Sequence, residues 1–369
     1  MLRLEELLLE AVRREASDVH LRADRRPVLR VHGALQRTDH EPVTARAVEE
    51  TAQRIMSPEK WRESGESAEV DFAYEAPSIG RFRVNAFRER GNLALVLRRV
   101  LPTVPTFEDL GLPPVLRQIA EEPHGLVLVT GRTGSGKTTT LASMIEHMNR
   151  TRDQHIVTVE DPIEFQFVDR RCTISQREVG TDTADFRAAV KRVLRQDPDV
   201  IFIGEMRDPE TVWTAMSAAE TGHLVLSSLH TATATETVHR IIDFFSPSQH
   251  RHVRSSLASS LRAIVSQRLV PRADGLGRVP AVEILRSNGR IFERIVDAER
   301  THQIDDVIAE SGHYGMCSFD QSLAGLCTRG VITRAVALEH ATHPHDLRLT
   351  LDGMEGPSHP AETSMLSAG

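Results

Sequence analysis

Cysteine is scarce in this chain, with three among 369 residues: Cys172, Cys317 and Cys327. None forms a C-x-x-C pair, so neither a disulfide framework nor a zinc knuckle is available, and the three read as reduced bystanders. Long apolar runs are missing as well; none approaches the ~20 residues that a membrane-spanning helix needs. Positive charge is outweighed: 45 Lys and Arg stand against 52 Asp and Glu, a net charge of −7. That balance argues against a general nucleic-acid or membrane-surface binder. The opening Met1-Leu2-Arg3-Leu4-Glu5-Glu6 carries acids and no signal-peptide cleavage pattern, so a cytoplasmic protein is expected. No internal repeat is visible. The length is enough for two domains and a sizeable core.

What the chain does have is Gly131-Arg132-Thr133-Gly134-Ser135-Gly136-Lys137-Thr138, which spells G-x-x-x-x-G-K-[ST]. The apolar run Leu126-Val127-Leu128-Val129 leads in as a buried strand, and Thr139 to Met148 leads out with helical spacing. Glycines let backbone N–H groups curl round a β-phosphate, and a helix N-terminus adds positive potential. Lys137 supplies a point charge for the β- and γ-phosphates, and the Thr138 hydroxyl can ligate Mg²⁺. Gly131, Thr133, Gly134, Ser135, Gly136, Lys137, Thr138 and Thr139 are therefore the expected nucleotide-binding residues. Their ligand is expected to be ATP with Mg²⁺.

Residues 1–100 read as a small α+β domain. Leu4, Leu7, Leu8, Ala11 and Val12 recur at helical spacing. Val28 to Gly33 looks like a strand ending in a turn. Arg81 to Phe87 alternates, Gly91-Asn92 turns, and Leu93 to Leu97 returns as a hairpin. The proline-punctuated stretch 101–114 reads as an interdomain linker. From Val115 to residue 351, strands alternate with helices, the signature of a mostly parallel sheet. The expected strands are Leu126–Thr130, Ile156–Val159, Val200–Ile203 and Leu224–Ser227, followed by a more helical part from Pro247 to Ala341. Residues 352–369 carry turn formers without periodicity and read as a disordered tail.

Three further segments bear on chemistry. Val200-Ile201-Phe202-Ile203-Gly204-Glu205 is a buried strand ending in an acid, with Gly204 where an Asp usually precedes the Glu; Glu205 is the lone carboxylate there. Glu160-Asp161-Pro162-Ile163-Glu164 places acids just beyond another strand. Open α/β sheets bind ligands at such carboxyl ends. Glu164 is thus a candidate to orient or deprotonate water. The bland reading of both segments is a solvated or helix-capping acid. His223 and His230 bracket Leu224 to Leu229, and His230 is a candidate phosphate sensor. Metal binding by that pair lacks a third ligand at suitable spacing.

These segments, taken in order with Asp197-Pro198-Asp199 and Met206-Arg207-Asp208, resemble the secretion ATPases of type II secretion and type IV pili. In that family they are called Walker A, Asp box, Walker B and His box. Ser17-Asp18-Val19-His20-Leu21 and Arg81 to Phe87 resemble its N-terminal domain. The resemblance implies a RecA-like P-loop NTPase domain with a mostly parallel sheet, preceded by a small α+β, PAS-like domain. Within the superfamily the chain is most similar to the pilus retraction ATPases, the motors of twitching motility. It shows neither the extra N-terminal domain nor the tetracysteine motif usual in assembly and secretion ATPases. Arg300-Thr301-His302-Gln303-Ile304, Tyr314-Gly315-Met316 and Ser318-Phe319-Asp320-Gln321 also resemble the retraction class. The helix before them, Arg290 to Glu299, keeps that class's amphipathic character but not its A-I-R-N-L-I-R-E-like identities.

Arg81, Arg83, Arg88, Arg90, Arg98 and Arg99 crowd one hairpin. Period-two alternation puts Arg81 and Arg83 on one face and Arg88 on the face of Phe82 and Val84. A solvated basic face is one reading, and nucleic-acid binding with interleaved Phe82 and Phe87 another. The resemblance implies a third, in which N-terminal-domain arginines reach the nucleotide phosphates; Arg83, Arg88 and Arg98 are the candidates, with Arg240 in the second domain. It further implies a homohexamer at the inner face of the cytoplasmic membrane, working on a pilus platform protein, with a pilus assembly ATPase as counterpart. No nucleic acid is expected. The expected function is ATP hydrolysis that drives pilus retraction. The alternatives are a pilus assembly or type II secretion ATPase, a nucleotide-binding regulator with negligible turnover, and a nucleic-acid translocase.

Overall fold

The computed structural model describes residues 3–31, 33–100 and 103–355. The chain divides into two compact units. One spans Met1–Val104 and takes in Pro162–Phe167; the other holds Pro105–Asp161 and Val168–Gly369.

The first unit is a six-stranded antiparallel sheet with helices on one face. Its strands are β1 (Ala16–Leu21), β2 (Val28–Val31), β3 (Ala34–Arg37), β4 (Glu69–Ala76), β5 (Gly80–Glu89) and β6 (Asn92–Arg99), in the order β3-β2-β1-β6-β5-β4. Helices α1 (Leu4–Arg13), α2 (Ala45–Ile55) and α3 (Pro58–Glu66) complete it. The helical spacing in α1 buries Leu4, Leu7, Leu8 and Ala11 against Val19, Leu21, Leu95, Leu97, Phe82 and Val84 of the strands. Each buried aliphatic side chain there contributes about 1.5–3 kcal/mol relative to exposure. Alternation sends the other strand residues, Asp18, Arg30, Arg98 and Arg83, to the opposite face, where they form one cross-strand row. The β5–β6 turn is Arg90-Gly91, both at positive φ of 52° and 82°, the two-residue geometry that matches strand twist. Asn92 therefore opens β6 instead of turning.

The second unit is a seven-stranded sheet in the order β13-β12-β7-β11-β10-β8-β9. Its strands are β7 (Gly125–Thr130), β8 (His155–Glu160), β9 (Thr173–Glu178), β10 (Val200–Ile203), β11 (Leu224–Leu229), β12 (Leu261–Pro271) and β13 (Arg278–Arg286). All neighbours pair in parallel except β12 with β13. The helices are α4 (Val115–Ala120), α5 (Lys137–Thr151), α6 (Phe186–Val193), α7 (Pro209–Glu220), α8 (Ala234–Asp243), α9 (His250–Ser260), α10 (Gly289–Val296), α11 (Ile304–Glu310), α12 (Phe319–Thr328), α13 (Arg334–His340) and α14 (Pro344–Glu355). Local signals start them: Asp208 caps α7 ahead of Pro209, and Thr233 caps α8. Strands β7, β10 and β11 are buried along their whole length, which explains their unbroken apolar reading. The last helices form their own cluster, with Phe319, Leu323, Ile332, Ala337, Leu347 and Leu351 on Val270, Val279 and Ala281 at the far ends of β12 and β13.

Four expectations need correction. The part from Pro247 to Ala341 contains the long β12–β13 hairpin. Its Ala263 to Val270 run reads helical or extended by hydrophobicity alone, and the Asp274-Gly275 turn is the signal that separates the two. Residues from Pro105 onward are no loose linker: Ser143 Oγ donates to Pro105 O at 2.8 Å, and the buried Phe107 ring packs 5.6 Å from that of His147. Leu101 and Pro102 lie outside the described residues. Pro162–Phe167 leaves the strand–helix unit that flanks it in sequence and buries Ile163 and Phe165 with the first unit. Finally, α14 runs to Glu355, where a tail was expected from residue 352; residues 356–369 lie outside the described ones.

Candidate active site

The second unit brings four segments to adjacent strand ends. Across the sheet, β7 ends in the glycine loop, β11 in His230, β10 in Gly204-Glu205 and β8 in Glu160-Asp161. The carboxyl ends of the strands are where an open parallel sheet presents ligand-binding groups.

Backbone geometry accounts for the loop's composition. Gly131, Gly134 and Gly136 all sit at positive φ. A Cβ on Gly131 would come 2.4 Å from Gln267 O and 2.5 Å from Ser135 Oγ, so only glycine fits that close approach. Gly136 precedes Lys137, the first residue of α5, with Thr138 second and Thr139 third. Lys137 is 8% exposed. Its Nζ donates to Gly131 O at 2.9 Å and Arg132 O at 3.3 Å, and stands 3.5 Å from His230 Nδ1. The Ser135 hydroxyl is buried without a hydrogen-bond partner. A lysine folded onto its own loop, an orphaned hydroxyl and the open first turn of α5 all suit a phosphate chain. Thr138, in that first turn, suits the Mg²⁺ that accompanies it.

His230 links the loop to the acid. Its Nε2 lies 3.0 Å from Glu205 Oε1, and Arg207 donates to Glu205 Oε2 at 2.8 Å. Lys137 can only donate, so this geometry gives Nδ1 the lone pair and Nε2 the hydrogen. Burial pushes the Glu205 carboxyl up, but its bonds to Arg207 and His230 outweigh that and hold its pKa below the ordinary carboxylate value. Lys137, His230 and Glu205 thus form one connected line. His223 is separated from it by the whole of β11 and bonds to Ala218 O at 3.0 Å. Glu160 is buried and accepts from Thr158 Oγ1 at 2.7 Å. Glu164 is exposed and travels with the first unit.

A cavity of about 480 Å³ opens beside the loop, lined by Gly131 to Ser135, Ala232, Gln267 to Leu269, Arg278 and Glu339 to Ala341, a size that suits a nucleotide. Sequence reasoning missed its far wall. Buried Gln267 on β12 donates to Ser135 O at 2.7 Å and accepts from Thr140 Oγ1 at 2.8 Å, fastening the loop to α5. Arg268 donates to His340 O at 3.0 Å and stacks 3.8 Å from the Phe319 ring centroid, fastening α13 to the cavity. Reading β12 as a strand beside β7 would have placed both residues next to the phosphate loop.

The arginines divide. In the first unit, Arg83 and Arg98 face each other across β5 and β6, whereas Arg88 lies on the opposite face at the hairpin end. Arg98 Nε bonds at 2.8 Å to Asp18, which is 3% exposed, and Arg83 lies 3.8 Å from Asp71. In the second unit, Arg240 lies on α8 with its guanidinium 4.7 Å from the Phe244 ring centroid.

Comparison with known proteins decides the family. The type II/IV secretion system protein model matches residues 2–316. This chain belongs to that family. The type IV pilus retraction ATPase PilT of Pseudomonas aeruginosa is 41% identical over 341 residues, 92% of this chain and 98% of PilT. The type IV pilus ATPase PilU of the same organism is 41% identical over 347 residues, 94% of this chain and 91% of PilU. A crystal structure of the pilus retraction motor PilT with bound ADP superposes with a TM-score of 0.87 at 41% identity, covering 95% of this chain and all of that one. As a member of the type II/IV secretion family, the chain carries a RecA-like ATPase unit with a mostly parallel sheet and an α+β N-terminal unit. Among the described residues no helix is long and apolar enough to cross a membrane, and no cluster of three metal-ligating side chains occurs.

Proposed function

We propose that this chain is an ATP-hydrolysing motor that powers retraction of a type IV pilus. The observation that carries hydrolysis is the Lys137–His230–Glu205 line at three adjacent strand ends. Likeness to the whole length of a retraction ATPase supports the output. Gly134 to Lys137 hold the phosphates with backbone N–H groups, and Lys137 Nζ leaves the Gly131 and Arg132 carbonyls for the β- and γ-oxygens. Thr138 would hold Mg²⁺, which when bound neutralises phosphate charge. Glu205, kept ionised, orients or activates water; Glu164 is the second candidate for that role. His230, which joins Lys137 to Glu205, is the candidate γ-phosphate sensor. Assembly as a homohexamer at the inner membrane face, on a pilus platform protein and opposite an assembly ATPase, completes the reading.

A clean deletion scored for surface pili and twitching tests the output. Excess, non-retracting pili without twitching are expected; bald cells would make the chain an assembly ATPase, and undiminished twitching would remove it from retraction altogether.

The same proposal gives the first unit's arginines a share of the transition-state charge, an effect worth roughly 10³–10⁵ in rate when an arginine is supplied to a phosphoryl group. Arg83→Ala and Arg98→Ala are expected to lower kcat sharply while nucleotide affinity stays within about threefold, because binding rests on the P-loop. Lysine at either position should rescue poorly for lack of a planar fork. Arg88→Ala tests the opposite face of the same hairpin. Steady-state ATPase rates beside nucleotide affinities sort the two faces. Wild-type rates in all three alanine variants would reduce the hairpin to a basic surface.

A further inference from the structure

We propose that Glu283 is a positioning residue for hydrolysis: its buried carboxylate anchors the first turn of α8 and so fixes where His230 stands between Lys137 and Glu205. The inference rests on the ATPase reading above and adds a residue outside all of its motifs.

Glu283 lies within β13 and is 6% exposed. Its Oε1 accepts the backbone N–H of Ala234 at 2.8 Å. Ala234 opens α8, four residues after His230. The residues between are tied to that same turn. Thr231 Oγ1 meets Thr237 Oγ1 at 2.7 Å, and Ala232 N donates to Glu236 Oε2 at 2.7 Å. Glu236 N in turn donates to Thr233 Oγ1 at 3.2 Å. The loop that carries His230 is therefore rigid with respect to the first turn of α8, and Glu283 is the bond from that turn to the sheet. A fully buried carboxylate is costly unless it serves a bond of this kind.

The charges around Glu283 come from three neighbours: Arg268 on β12, Asp305 on α11 and Asp320 on α12, with the Cys317 thiol close to the strand. Burial pushes the Glu283 carboxyl up to about 7, the Ala234 N–H opposes that, Asp305 adds to it, Arg268 opposes it and Asp320 adds again. The anchor thus changes strength in the physiological range. An ionised carboxylate at a helix N-terminus makes a charge-assisted bond and meets the positive end of the helix dipole; a protonated one makes a weaker, neutral bond. Stability runs the other way. A folded-state value raised above 4.5 means that the contribution is full below that pH and is lost as pH rises through about 7. Glu283→Gln, which keeps the oxygen and never ionises, is accordingly expected to melt no lower than the wild type at pH 8.

Two measurements on the full chain test the proposal. The first is amide hydrogen exchange of residues 231–238 in the wild type at pH 6 and pH 8, corrected for intrinsic rates. Protection about fivefold higher at pH 8 is expected from the stronger bond; equal protection at both would overturn the anchor. The second is the pH dependence of kcat from 5.5 to 9. The wild type is expected to gain about fivefold through pH 7 and Glu283→Gln to lack that inflection. Glu283→Ala should lose at least ~10-fold in kcat with KM for ATP within about threefold, since the phosphates are held elsewhere. An inflection that survives in Glu283→Gln would assign the titration to another group and sink the proposal. Exchange needs no turnover, so a chain that hydrolyses no ATP would fail the ATPase reading while exchange still decides the anchor.

Discussion

Replacing Lys137 with alanine is expected to abolish ATP hydrolysis, with a loss of at least ~10³-fold in kcat. The physical reason is concentrated in one atom. Lys137 Nζ is held by Gly131 O, Arg132 O and His230 Nδ1, so it stands where charge on the β- and γ-phosphates must be met, on a residue that is itself buried. A preorganised charge in such a place needs no rearrangement during the reaction, and alanine leaves nothing to replace it. Nucleotide affinity should fall as well, because the same charge serves the ground state. The substitution also frees two loop carbonyls and one His230 nitrogen. A thermal melt must therefore accompany the rate measurement, to show that the variant is folded. Normal turnover in a folded Lys137→Ala protein would remove the P-loop from the mechanism.

Glu205→Gln separates binding from chemistry. Glutamine keeps the size of the side chain but offers an amide where the carboxylate now accepts from both Arg207 and His230. The expected variant binds Mg-ATP with affinity near that of the wild type and hydrolyses it ~10²–10⁴-fold more slowly, the usual contribution of a placed general base. Single-turnover measurements on pre-bound ATP read that difference directly. Glu164→Gln is the informative partner. If Glu205→Gln turns over normally while Glu164→Gln is dead, the base lies on the segment that packs with the first unit. If both are wild type, neither carboxylate handles the water.

The parts of the fold that the sequence announced are those in which local pattern and tertiary environment agree. The unbroken apolar runs of β7, β10 and β11 are buried on both faces, so nothing but a central strand accommodates them. The glycine loop is legible because each glycine does a backbone job that no other residue can do. Period-two alternation correctly put Arg83 and Arg88 on opposite faces of β5. Pattern alone failed where it is degenerate: β12 contains an apolar, β-branched run that suits a helix or a strand, and with it went Gln267 and Arg268. Pro102 to Pro114 misled in another way. Proline marks turn geometry, not looseness, and from Pro105 on that geometry lets Phe107 and Leu112 bury themselves. Neither the excursion of Pro162–Phe167 nor the anchor at Glu283 has a local signature, because each depends on which distant segment lies alongside.

That excursion bears on how the protein can be taken apart. The chain passes between the two units three times, after Val104, Asp161 and Phe167, so no single cut separates them. A protease nick near Pro105 would sever residues 1–104 from the rest of the backbone and leave the first unit split between two pieces, with Pro162–Phe167 still carried by the longer one. A truncated product starting at Pro105 would carry the buried Ile163 and Phe165 without the rest of the unit to which they belong, giving it two apolar side chains in search of cover. Its insolubility would then report an orphaned six-residue graft, not an intrinsically unstable nucleotide-binding unit. Expressing that unit cleanly calls for splicing a short polar bridge between Asp161 and Val168.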